Sequence, residues 1–203
     1  MRTRIFLFFF FILVIVGCKK NVTTTYIPET LKEYMIFNNG TYWIYLNEQT
    51  GVLDSCFLTK GPLVSYFHRG GYPDDPIDEY CYIGFSGHLL STTVVTPEDV
   101  QIEWSWWGSV CLRPDFSQRI FNYRVSGDIY KIVQFYDSLK INNNMFKNVI
   151  NTQLIASQFY VKPIIDTATF SYFLAKNIGI VKLRKQYHQS DTIWSLIRWH
   201  VVR

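Results

Sequence analysis

The densest grouping of chemically capable side chains in this 203-residue chain is Pro73-Asp74-Asp75-Pro76-Ile77-Asp78-Glu79, four carboxylates in seven residues. Hard cations such as calcium take several oxygen ligands at roughly 2.5 Å, which makes Asp74, Asp75, Asp78 and Glu79 the metal candidates. The run lacks the alternating ligand order and central glycine of a calcium hand, so a solvated acidic turn is the plainer reading. A second grouping, Gly84-Phe85-Ser86-Gly87-His88, comes near the Gly-x-Ser-x-Gly turn that lifts a nucleophilic serine out of a sheet. His88 stands where the fifth-position glycine is required, and a hairpin turn accounts for Ser86 better. His68, His88, His188 and His200 show neither i, i+4 nor His-x-His spacing, which leaves zinc unsupported. Nothing sets two carboxylates across a cleft as a glycosidase needs. The expectation is a protein without catalytic residues and without a cofactor.

The remaining reactive type is cysteine. Cys18 ends the segment MRTRIFLFFFFILVIVGC, in which Arg2 and Arg4 form a basic start and Ile5 to Val16 an apolar run too short for the roughly 20 residues of a membrane-crossing helix. Ile15-Val16-Gly17-Cys18 resembles a bacterial lipobox, whose cysteine takes a diacylglyceryl group on sulfur and becomes the first residue after cleavage. Acyl chains on Cys18, such as palmitate, then hold the chain on a membrane, because each buried methylene contributes about 0.8 kcal/mol. Cys56, Cys81 and Cys111 remain. An oxidising envelope permits one disulfide among them in three pairings, and three small buried hydrophobes are the alternative.

Removing residues 1–17 leaves 186 residues, enough for one domain with its own core, and lowers the formal charge from +4 to +2. The basic residues are scattered and groove-reading motifs are missing, which excludes nucleic acid as a partner. Residues 18–30 are polar, threonine-rich and aperiodic, which reads as the lipidated cysteine and a flexible tether, followed by a single β domain over 31–203. With 16 Phe, 14 Tyr and 6 Trp the chain is 18% aromatic, and it has only three alanines, a balance that favours strands over helices.

Short apolar runs alternate with turn signals at Asn38-Asn39-Gly40, Gln49-Thr50-Gly51, Gly61-Pro62, Gly70-Gly71-Tyr72-Pro73 and Ser126-Gly127-Asp128. The clearest strand is Asp99 to Trp106, with Val100, Ile102, Trp104 and Trp106 on one face. Tyr42 to Leu46 and Tyr130 to Tyr136 are apolar on both faces, as strands covered on both sides or lining a cavity are. Thr192 to Val202 puts Ile193, Ile197, Trp199 and Val201 opposite Arg198 and His200, which suits a closing strand. Leu31 to Phe37 has the capping-box spacing of a short helix, with Thr30 as cap and Glu33 three residues on. The fold class is mainly β, a single curved antiparallel sheet or half-barrel with little helix.

Four stretches together resemble envelope lipoproteins of unknown function from Bacteroidota. They are Gly40-Thr41-Tyr42-Trp43-Ile44-Tyr45, Phe146-Lys147-Asn148-Val149, Tyr172-Phe173-Leu174-Ala175-Lys176-Asn177-Ile178-Gly179-Ile180-Val181-Lys182, and Trp194-Ser195-Leu196. The resemblance extends to half-barrel domains of the lipoprotein-carrier kind and implies a strongly curved sheet. It also implies a location in the cell envelope, and Lys19-Lys20-Asn21 in place of the acidic residues of surface-exported relatives points the anchor toward the periplasm. Exported proteins of these bacteria carry O-glycans at Asp-Ser/Thr-apolar sites, which makes Ser138, Thr167 and Thr192 candidates.

Two readings of function follow. In one, aromatic residues such as Trp43, Tyr45, Trp104, Trp106 and Tyr172 line the sheet to bind an apolar ligand, or the protein binds an envelope protein partner. In the other the same aromatics are core, and the protein is an anchored structural or assembly scaffold. An envelope hydrolase built on Ser86 or the acidic loop is a distant third.

Overall fold

In the computed structural model, residues 22–87, 89–90, 92–95, 97, 100–103, 109–112, 121–122, 129–157, 167–187 and 190–203 are described. Among them three strands exceed a dozen residues, one in the N-terminal half and two in the C-terminal half. The strands are β1 (Thr24–Thr25), β2 (Tyr42–Asn47), β3 (Leu53–His68), β4 (Ile77–Ser86), β5 (Thr92–Val95), β6 (Val100–Glu103), β7 (Ser109–Leu112), β8 (Phe121–Asn122), β9 (Ile129–Ile141), β10 (Asn144–Ser157), β11 (Thr167–Ala175), β12 (Gly179–Tyr187) and β13 (Ser190–His200). Among the described residues one helix, α1 (Glu29–Met35), lies between β1 and β2.

All of them join one sheet, in the order β7-β6-β5-β4-β3-β2-β13-β12-β11-β10-β9-β8. These neighbours are antiparallel, and β1 alone pairs in parallel, with β4. Two meanders, β2 to β7 and β8 to β13, are thus stitched together by the β2–β13 ladder, in which Tyr45 faces Leu196. The sheet curls until β7, at one edge, has Cα atoms within 8 Å of β9 and β10 near the other edge. The expected curved antiparallel sheet is what forms.

Local chemistry explains the corners. Asn142 (φ 53°) makes the tight turn from β9 to β10, and Asn177 (φ 66°) leads into Gly179 (φ 95°) at the start of β12. Asn tolerates the left-handed region better than most residues. Gly179 has a second reason to be glycine, since a Cβ there would sit 3.2 Å from the Phe37 ring. Gly40 (φ 94°) supplies the turn into β2.

Four details differ from the sequence expectations. The packed chain starts well before Leu31: Thr24 pairs with Ile77, Ile27 is buried and α1 begins at Glu29, so the tether cannot extend to residue 30. Thr30 does not cap the helix. Instead the Pro28 carbonyl accepts the N–H groups of Leu31 and Lys32, at 3.0 and 3.2 Å, and no side-chain cap forms. Gly61-Pro62 is not a turn but a cis peptide within β3, at an irregularity of the ladder between Lys60 and Leu63, where a residue lacking an N–H is tolerated. In β13 the register shifts between Leu196 and Arg198, so Leu196 is buried while Ile197 is exposed, because a bulge resets the alternation.

The core fills the sheet's inner side around α1. Leu31, Tyr34 and Met35 of the helix join Phe37, Trp43, Tyr45, Cys56, Ile83, Val149, Phe170, Tyr172 and Leu183 in one buried cluster. Not every strand is covered on both faces, however. In the Tyr130 to Tyr136 run Phe135 is exposed, the reverse of the expectation for that segment.

Candidate functional site

Alternation along β2 turns Trp43 and Tyr45 into the core and leaves Tyr42, Ile44 and Leu46 half-buried on the other face. Trp43 is 2% exposed and Tyr45 fully buried. The Trp43 Nε1–H donates to the Ile178 carbonyl at 2.6 Å, and the Tyr45 hydroxyl donates to the Ile180 carbonyl at 2.9 Å. Those carbonyls flank Gly179, so both rings clamp the β11–β12 corner. Phe37 and Phe85 meet Trp43 edge-on, with centroids 5.4 and 5.7 Å apart. Tyr172 on β11 is also fully buried. The three candidate ligand residues that can be placed therefore come together as packed core. Burial raises the Tyr45 hydroxyl well above the ordinary tyrosine pKa, with Cys56 and Asp54 adding to the effect. Trp104 and Trp106 lie outside the described residues.

The four carboxylates of the acidic run diverge. Asp78 and Glu79 are successive residues of β4 and so point to opposite faces. Asp78 accepts a two-pronged contact from Arg69, Nε to Oδ2 at 2.8 Å and Nη2 to Oδ1 at 2.9 Å. Glu79 Oε2 accepts the backbone N–H of Ile27 at 2.7 Å and lies 3.8 Å from the Lys32 ammonium. Asp75 accepts the Tyr72 N–H at 3.1 Å within the turn, and Asp74 is exposed. Among the described residues no three His, Cys, Asp or Glu side chains are grouped to hold a metal ion.

Ser86 is the last residue of β4, exposed and opposite Phe57, just past the final pair of the antiparallel β4–β5 ladder, Gly84 with Thr92, and not at a strand-to-helix turn. His88 and His188 lie outside the described residues, and His200 stacks on Tyr42 at 5.8 Å. Cys56 and Cys81 are free, buried thiols, the small-hydrophobe alternative. Burial pushes Cys56 up to about 12, helped by Asp54, and Cys81 up to about 11, helped by Glu79. Cys111 lies on β7 opposite Gln101, its side chain outside those described.

Of the glycan candidates, Ser138 is exposed in β9 and Thr167 opens β11. Thr192 is half-buried, and its neighbour Asp191 is gripped by Arg184 at 2.7 Å, which holds the Asp191 carboxyl below the usual carboxylate range. Cys18 and the segment before it lie outside the described residues. No helix among the described residues is long and apolar enough to cross a membrane.

Two solved structures are similar to this chain over most of their own length. A Bacteroides fragilis protein inferred to be exported, with a YmcC-like fold, is similar over 82% of this chain and 98% of its own, at 8% identity and a TM-score of 0.44. A Parabacteroides distasonis protein inferred to be a lipoprotein is similar over 80% of this chain and 96% of its own, at 10% identity and a TM-score of 0.42. Neither a family model nor a curated protein matches the chain.

No local sequence pattern signals how α1 is held. Arg203, the last residue, donates Nη1 to the carbonyls of Lys32 and Ile36 at 3.1 and 3.0 Å, and Nη2 to that of Glu33. Its guanidinium lies 4.5 Å from the Phe37 ring centroid. From the other side Asn177 donates its N–H to the Glu33 carbonyl at 2.8 Å, and the Tyr34 hydroxyl donates to the Asn148 carbonyl at 3.0 Å. Orphan carbonyls at a helix C-terminus need such partners. Beside this clamp a cleft of about 270 Å³ is lined by Glu33, Tyr34, Tyr136, Asp137, Asn148 and Lys176. The Glu33–Lys176 ion pair, 2.9 Å long, lies in this lining beside the rings of Tyr34, Phe135 and Tyr136, so the cleft offers both charge and apolar surface.

Proposed function

We propose that this protein is an anchored envelope lipoprotein that works as a non-enzymatic structural or assembly scaffold, carrying a filled β core. The supporting observation is the burial of Trp43, Tyr45 and Tyr172 in the one core cluster that includes α1, with both polar atoms of the β2 pair bonded to backbone carbonyls. A sheet built to admit a lipid would leave such rings facing a cavity, whereas these rings brace a corner. The outer surface is then what meets an envelope partner.

The anchor in this reading is Cys18, preceded by the basic start and apolar run, and Lys19-Lys20 directs it to the periplasmic side. Feeding cells a clickable fatty-acid analogue tests it. The parent protein should take up label and Cys18→Ala should not; equal labelling of both would remove the anchor from the account. The Ser86 hydrolase reading has no observation in its favour.

A further inference from the structure

The hairpin formed by the end of β3 and the start of β4 carries an unusual surface. Leu63, Val64, Tyr66 and Phe67 are all exposed, and Tyr72 in the turn is 72% exposed. Pairing of Leu63 with Tyr82 and Tyr66 with Glu79 shows that these residues occupy both faces, since residues opposite one another share a face. Phe67 meets the Tyr80 ring edge-on at 6.0 Å, but Leu63, Val64, Tyr66 and Tyr72 leave most of their apolar surface in water, more than a strand end needs for packing alone.

The direction of the chain beside this hairpin decides what covers it. β1 runs parallel to β4, with Thr24 opposite Ile77 and Thr25 opposite Asp78, and the Ile77 N–H donates to the Thr23 carbonyl at 2.9 Å. Because the pairing is parallel, the chain enters the sheet from the tip of the hairpin, where the turn ends at Pro76. Cys18 is five residues before Thr23, and five residues span at most about 17 Å. Acyl chains on Cys18 would therefore hold a bilayer within about 17 Å of Thr23, which lies beside the start of β4 at the tip end of the hairpin.

On this geometry, and resting on the anchored-lipoprotein reading, we propose that the β3–β4 hairpin tip is a membrane-contact surface. Tyr66, Phe67 and Tyr72 settle into the headgroup region of the bilayer that carries the anchor. Tyrosine suits that depth because its ring is apolar and its hydroxyl stays wet. The charges at the tip are balanced on one side and acidic on the other: Arg69 is neutralised by Asp78, while Asp74 and Asp75 remain. Among the described tip residues, the contact is therefore made by apolar and aromatic side chains on a zwitterionic surface. A lipid tether with a second, weaker contact fixes the orientation of the sheet relative to the membrane, as single anchors alone do not.

The test uses the full lipidated chain in phosphatidylethanolamine–phosphatidylcholine vesicles. Nitroxide labels are placed singly by Tyr66→Cys and Tyr72→Cys, with Val52→Cys at the other end of the 16-residue β3 as reference, all in a Cys111→Ser background. Circular dichroism verifies that each variant folds, and the mass of the N-terminal peptide reports acylation. Relative to the soluble Cys18→Ala form, collision with an aqueous nickel chelate should fall severalfold at positions 66 and 72 and stay unchanged at 52. Acylated protein whose tip labels remain as accessible as position 52 overturns the membrane contact and leaves the anchor standing. An unmodified Cys18 overturns both. Tip labels that become shielded in the soluble form as protein concentration rises would overturn it in favour of a second copy of the chain.

Discussion

Glu79 and Ile27 are joined by a 2.7 Å hydrogen bond across 52 residues, the β4 carboxylate accepting the backbone N–H that leads into α1. Both groups are buried, so the bond fixes the entry of the N-terminal segment onto the sheet. Glu79→Gln keeps an acceptor and should cost about 1 kcal/mol, whereas Glu79→Ala strands the Ile27 N–H and should cost roughly 2–3 kcal/mol. Urea midpoints of the two variants check the order, and equal midpoints would show that the bond carries no weight.

The Tyr45 hydroxyl is a second buried donor, and Tyr45→Phe removes it with little change of shape. The Ile180 carbonyl then loses its partner, for an expected loss of about 1–2 kcal/mol. Chemical denaturation measures it. Trp43→Phe should cost more, since it removes both the contact to the Ile178 carbonyl and ring volume from a packed site.

Cys56 and Cys81 make the fold sensitive to alkali. Their pKa values rise on folding, to about 12 and about 11, from an ordinary thiol value near 9. Below pH 9 both states hold the protons and stability is unaffected; above it the unfolded chain ionises first, so stability falls as pH climbs toward 11 and 12. Denaturation midpoints should be flat from pH 7 to 8.5 and decline by pH 10. Tyr45, shifted in the same direction, adds to the decline.

Thr93 on β5 buries its Oγ1 without a hydrogen-bond partner among the described residues. Thr93→Val should therefore be neutral or stabilising by up to about 1 kcal/mol, because a buried hydroxyl lacking a partner costs about that much. A clear loss of thermal stability in the variant would show that the hydroxyl is satisfied in solution.

Much of this architecture was legible before the structure. The alternation of Trp43 and Tyr45, the aromatic excess and the Asn and Gly turns belong to local backbone preference, which sequence displays directly. The β1 pairing was not legible, because Thr24 and Thr25 are polar and acquire a strand role only from the edge of β4 at Ile77. The Ile197 bulge hid for a similar reason: a one-residue insertion breaks a period-two pattern without leaving a marker. At the candidate site, the Trp43, Tyr45 and Tyr172 set was found, but whether such rings face a cavity or a helix depends on where α1 packs. The clamp by Arg203 depends on the C-terminus returning beside α1, a distant relation no local pattern encodes.

The central claim is that the inner side of the sheet is filled. Native mass spectrometry of residues 21–203, exported to the periplasm without the anchor, tests it most directly. A bare mass is the predicted result, with Trp43, Tyr45 and Tyr172 serving as core. A lipid-sized adduct that survives washing and leaves on denaturation would contradict it and turn the sheet into a carrier.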